Sequence, residues 1–143
     1  MRREIFIRLS FLISVLILVS IVKHWLALTC WPLWLGGALG LFLPDLDHLV
    51  YIFFLGPQEL TSQRVVYLIR NRNFRGAVSL LFDTRAERGD LVLHSNFAFV
   101  VILIFTFWML TSSGSLLGVG LVLGMVVHLL VDRIKNVLYH EIP

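Results

Sequence analysis

A single cysteine, Cys30, stands in 143 residues. One thiol excludes an intramolecular disulfide and a CxxC zinc site, and it carries no information about redox compartment. Charge is nearly as scarce. Only 15% of the residues are charged and 58% are hydrophobic, against about 25% and about 45–50% in ordinary soluble domains. A soluble core of this length cannot hide so much apolar surface, and the mean hydropathy of +0.87 places the chain among integral membrane proteins. The sequence also lacks a serine nucleophile elbow, a P-loop and any phosphate-cradling glycine motif. It has no internal repeat and no low-complexity tract. Its net charge of +3 is explained below by topology, and no nucleic-acid partner is expected.

What is present is apolar and segmented. Long runs cover roughly residues 5–22, 25–55, 91–111 and 116–131. The second run exceeds the ~20 residues a span needs, and Pro44 lies inside it. Proline disfavours helical geometry at the preceding residue, so the expected division is a span over 25–43 and a short helix over 44–55. The expected fold class is all-α: an integral membrane bundle of about four transmembrane helices, a single membrane domain over 1–143, with an amphipathic helical cytoplasmic connection over 56–90. The first segment reads as a retained signal anchor, because no small-x-small cleavage site follows it.

Basic residues fix the expected orientation. Arg2, Arg3 and Arg8 precede or open the first segment, and Arg133 and Lys135 follow the last. Arg64, Arg70, Arg72, Arg75, Arg85 and Arg88 fall in the long connection, leaving Lys23 alone on the other side. Eleven against one is a positive-inside asymmetry that puts both termini and the connection in the cytoplasm, in a multi-pass protein of the inner membrane. Within the connection, "TSQRVVYLIRNRN" and "NFRGAVSLLFD" read as amphipathic helices, with Asn73 as an N-cap. Such helices either lie in the inner interface or pack on the cytoplasmic end of the bundle. Gly36, Gly37 and Gly40, and Gly114, Gly118, Gly120 and Gly124, give small-residue faces suited to close helix packing. Trp25, Trp31 and Trp34, beside Lys23 and His24, suit an outer aromatic belt.

Against this background the costly residues stand out. "LPDLDHLV" (43–50) places Asp45, Asp47 and His48 at the cytoplasmic end of the second span. His94 is expected four residues into the third span, and His128 and Asp132 close the fourth. All six are then expected at one membrane depth. His128 and Asp132, four residues apart, share a helix face, as do Asp45 and His48, with Asp47 on the flank. Imidazole and carboxylate together suit zinc, and also manganese or iron. Singly, each residue has a bland reading: Asp132 with Arg133 marks a membrane edge, and His94 with Ser95 and Asn96 is polar glue between helices. Together, ionisable groups inside a membrane point to a functional site.

"GGALGLFLPDLDH" (36–48), "HS" (94–95) and "HLLVD" (128–132) resemble the LexA-regulated inner-membrane family of metal-dependent hydrolases. The resemblance covers roughly residues 36–132. It implies metal-site positions at Asp45, Asp47, His48, His94, His128 and Asp132, and metal-assisted hydrolysis as the activity. One block departs from the family pattern. Leu93 stands where threonine is expected, and Gly89 and Asp90 stand where His-Arg is expected. A carboxylate not engaged by metal, Asp47 or Asp90, is the expected general base. A site at headgroup level flanked by arginines makes a phosphoester, such as a phospholipid, the natural substrate class. The alternative is a non-catalytic metal-binding membrane protein that acts as sensor, carrier or scaffold.

Overall fold

The computed structural model describes residues 2–84 and 91–140, and every regular element among them is helical. In chain order these are α1 (Arg2–Val22), α2 (Trp31–Phe42), α3 (Leu46–Val50), α4 (Leu60–Arg70), α5 (Phe74–Asp83), α6 (Asn96–Ser112) and α7 (Leu116–His140). Among the described residues, three stretches are long and apolar enough to cross a membrane, Ile5–Val22, Leu28–Leu55 and Leu116–Lys135, which marks the chain as a membrane protein. The apolar α6 has 17 residues, at the lower end of the ~17–25 a span uses.

Two expectations are corrected. Leu43 keeps ordinary helical angles, φ −58° and ψ −43°, so no break precedes Pro44. The chain passes the proline in a 3-10 turn over Leu43–Asp45 and stays helical to Leu55. Proline removes a donor and crowds the carbonyl one turn back, and a local change of hydrogen-bond spacing relieves both without ending the helix. The spacing changes again over Tyr51–Leu55, a single π-type turn closed by the Gly56 N–H donating to the Tyr51 carbonyl at 2.8 Å. The second correction is at residues 91–95, which form a turn and not the start of a span; α6 begins at Asn96.

The chain divides into two compact units, Met1–Pro44 with Asn96–Pro143, and Asp45–Ser95. In the first, Leu12 and Leu16 of α1, Leu33 and Leu41 of α2, Met109 of α6 and Val119, Val122, Leu123 and Val127 of α7 form one buried cluster. Lipid tails are as apolar as leucine, so close van der Waals contact has to hold such helices together. Glycine supplies it. A Cβ on Gly36 would strike the Leu117 carbonyl, and one on Gly40 the Leu121 carbonyl. From the opposite side, Gly120 meets the Leu33 carbonyl and Gly124 that of Gly37. Two G-x-x-x-G pairs thus let α2 and α7 touch backbone to backbone. Gly118 meets only the side chains of Met109 and Ser115, and Gly114 faces open space among the described residues, so the small-residue face ends before the turn at 113–115.

α1 ends in a left-handed residue, His24 (φ 56°), and the Trp25 N–H reaches back to the Ser20 carbonyl at 2.8 Å, satisfying one of the last carbonyls of the helix. In the second unit, Ile52, Val65 of α4 and Ala77 of α5 are buried together, with Leu68, Ile69, Leu80 and Leu81 packed around them. α4 ends the same way, with Arg72 at φ 57° and the Asn73 N–H donating to Leu68 O at 2.9 Å. The Asn73 side chain then accepts from the Gly76 N–H at 3.0 Å, the expected N-cap of α5.

Candidate functional site

α7 is apolar for most of its length, and its His128 is fully buried, at 0% exposure. Its Nδ1 lies 2.6 Å from the carbonyl oxygen of Leu41 on α2. A carbonyl only accepts, so Nδ1 carries the proton. Leu41 lies in the last turn of α2, just before the chain changes to 3-10 spacing at Leu43–Asp45. With Nδ1 protonated, the lone pair of a neutral ring sits on Nε2, and Nε2 faces Asp132 Oδ2 at 3.2 Å. Two acceptors at that distance need a proton or a cation between them.

Arg8 completes this constellation. It is 4% exposed, its Nη2 pairs with Asp132 Oδ1, and its Nη1 lies 3.4 Å from His128 Nδ1. The two carboxylate oxygens are thus divided, Oδ1 toward the guanidinium and Oδ2 toward the imidazole. The sequence reading used Arg8 only as an orientation signal. Its buried role had a visible sign, since an arginine four positions into an apolar run is costly unless paired. Nearby on α7, Arg133 donates to Asn96 Oδ1 at 2.7 Å and stacks over the Phe99 ring, 4.3 Å to its centroid, tying the start of α6 to the end of α7.

The second unit carries its own set. Asp47 and His48 on α3 are buried, while Asp45 in the preceding turn is part-exposed. Asp47 Oδ2 accepts the Leu93 N–H at 2.7 Å and lies 3.5 Å from His94 Nδ1. The His48 and His94 rings stand 5.3 Å apart, centre to centre. The 91–95 turn is closed further by Ser95 Oγ donating to the Val92 carbonyl at 2.8 Å. His94 is therefore positioned by a turn hung on Asp47 and not by a helix. Asp90, the other candidate base, lies outside the described residues.

Both sets share one device. An oxygen acceptor stands at Nδ1 of the histidine, Leu41 O for His128 and Asp47 Oδ2 for His94. Metal-ligating histidines are oriented in this way, by a carbonyl or carboxylate at the other ring nitrogen. The spacing at α7 also fits. Donors around one zinc lie ~2.0–2.2 Å from it, and so ~3–4 Å from one another, and the His128–Asp132 separation is 3.2 Å. Comparison with protein-family models, with curated proteins and with solved structures gave no match.

Proposed function

We propose that the protein is a metal-dependent hydrolase of the inner membrane, with four spans, both termini and the 56–90 connection in the cytoplasm, and a phosphoester, such as a phospholipid, as substrate. Asp45, Asp47, His48, His94, His128 and Asp132 hold one or two divalent ions, zinc by preference. The observation that carries this reading is the orientation of the two histidines, each with an oxygen acceptor at Nδ1. Zinc or manganese held by these residues would lower the pKa of a bound water to about 7 and so make hydroxide available at neutral pH.

The chain's own residues have distinct tasks in this proposal. Leu41 and Asp47 orient His128 and His94. Arg8 holds one oxygen of Asp132 so that the other stays directed at His128. Asp47, buried and accepting the Leu93 N–H, orients His94 as a positioning carboxylate, and Asp45, part-exposed, is the general base when the metal does not engage it. α6, at the lower limit of span length, completes the set of four as the third span in chain order. Purified protein should hydrolyse a phosphoester or phospholipid only with added zinc or manganese, and the rate should fall by orders of magnitude in Asp45→Ala and His128→Ala. Tight metal binding without hydrolysis across a broad substrate screen would overturn the enzymatic reading.

One observation favours the non-catalytic alternative. Arg8 already pairs with Asp132 in a part-buried ion pair, an arrangement that also serves to fix α1 against α7. In that case Asp132→Asn would lower stability and leave metal content unchanged.

A further inference from the structure

The helical connection was expected to carry arginines on one face and apolar residues on the other. The second unit shows a different partition. Val65, Ala77, Leu80 and Leu81 are turned into its small core, yet the faces turned away from that core remain strongly apolar. Leu60 is 73%, Tyr67 67% and Phe74 61% exposed. Arg64, Arg70, Arg72 and Arg75 share those outward faces and form no ion pair among the described residues. On α4 the sequence Leu60, Arg64, Tyr67, Arg70 follows a four-three-three spacing, one stripe in which apolar and cationic groups alternate. On α5, Phe74 and Val78 are a turn apart with Arg75 beside them. The nearby acids are engaged, Glu59 accepting from Tyr51 Oη at 2.6 Å and Asp83 from Ser79 Oγ at 3.2 Å.

We propose that the outward stripe of α4 and α5 lies on an anionic bilayer surface, with Leu60, Tyr67 and Phe74 entering the headgroup region and Arg64, Arg70 and Arg75 pairing with lipid phosphates. A solvated face has no use for three exposed large apolar groups, and a purely apolar docking face would not interleave them with guanidinium groups. The interface of an anionic membrane rewards both at once: rings and aliphatic chains enter the acyl boundary while basic groups reach the phosphates. The chain itself brings the bilayer close. The membrane-length stretch ends at Leu55, and the four residues Gly56–Glu59 before α4 reach at most roughly 14 Å. The inference rests on the connection lying at a membrane face and is independent of the metal reading.

The test uses the full chain reconstituted in vesicles, with an environment-sensitive fluorophore on Tyr67→Cys in a Cys30→Ser background. In vesicles with about one-third phosphatidylglycerol the label should shift to the blue and be quenched by spin-labelled lipid, at least about twofold more than in pure phosphatidylcholine. High salt or Arg64→Gln/Arg70→Gln/Arg75→Gln should remove most of the difference, while lysine at the same three positions should keep it. Equal, water-like emission in both lipids overturns the proposal in the unmutated arginine background, whatever the variants do. So does a label shielded only when cytosolic protein is added, which would make the occupant a protein. Labelling of the same cysteine by a membrane-impermeant reagent reports the side of the membrane separately, so a failure of the four-span topology is distinguishable from a failure of lipid contact.

Discussion

The two units solve different packing problems. In the first, α2 and α7 meet through Gly36, Gly40, Gly120 and Gly124, where an added Cβ would land on backbone carbonyl oxygens of the partner helix. In the second, a few side chains around Ile52, Val65 and Ala77 are held by local devices, the left-handed Arg72 and the Asn73 cap. Where lipid offers no hydrophobic drive between helices, steric fit has to do what burial from water does elsewhere. The first unit should therefore fail abruptly when its fit is broken, and the second should weaken by increments.

The largest effect is expected from Gly40→Leu. The neighbouring atoms are backbone and cannot rotate away, so a loss above about 4–5 kcal/mol, or no folded protein in detergent, is expected. Gly114→Ala, with open space at its Cβ, is the matched control and should leave thermal unfolding unchanged. A stable Gly40→Leu protein would break the comparison at its root. Next comes Arg8→Ala, which strips the buried partner from Asp132 and should cost about 3–5 kcal/mol. The double variant Arg8→Ala/Asp132→Asn should recover much of that stability, since it removes the uncompensated charge as well.

In the second unit, Ile52→Ala should cost about 2–5 kcal/mol and show as faster tryptic cleavage at the arginines of α4, with cleavage in the first unit unaltered. The smallest effect is expected from Asn73→Ala, about 1 kcal/mol for a lost N-cap, read as a modest rise in the same cleavage. Equal loss of both units in Ile52→Ala would show that they unfold together.

Much of this was legible in the sequence, for local reasons. Helical periodicity, the Asn73 cap and the G-x-x-x-G spacing depend on near neighbours, and the all-helical architecture follows from them. What escaped depends on contacts between distant residues. The turn at 91–95 exists because Asp47 takes the Leu93 N–H, a contact spanning 46 positions. Pro44 looked like a helix break because local rules say so, and a switch to 3-10 spacing absorbed it. The Leu41 carbonyl, just before that switch, is taken by His128. For the site, the residue types and their spacing were visible, and so was Arg8 as a misplaced charge. Its pairing with Asp132 was not.

These histidines and carboxylates are proposed to hold divalent metal. The most direct measurement is the metal content of the purified full chain after equilibration with zinc or manganese, alongside His128→Ala and Asp47→Asn, each shown to be folded. The unmutated protein should retain at least one ion per chain, and His128→Ala should lose it while keeping its helical content. Asp47→Asn, which weakens both the hold on the 91–95 turn and the orientation of His94, should weaken affinity by about 10–100-fold. An unmutated protein that retains no metal, or a folded His128→Ala that retains as much as its parent, would contradict the account.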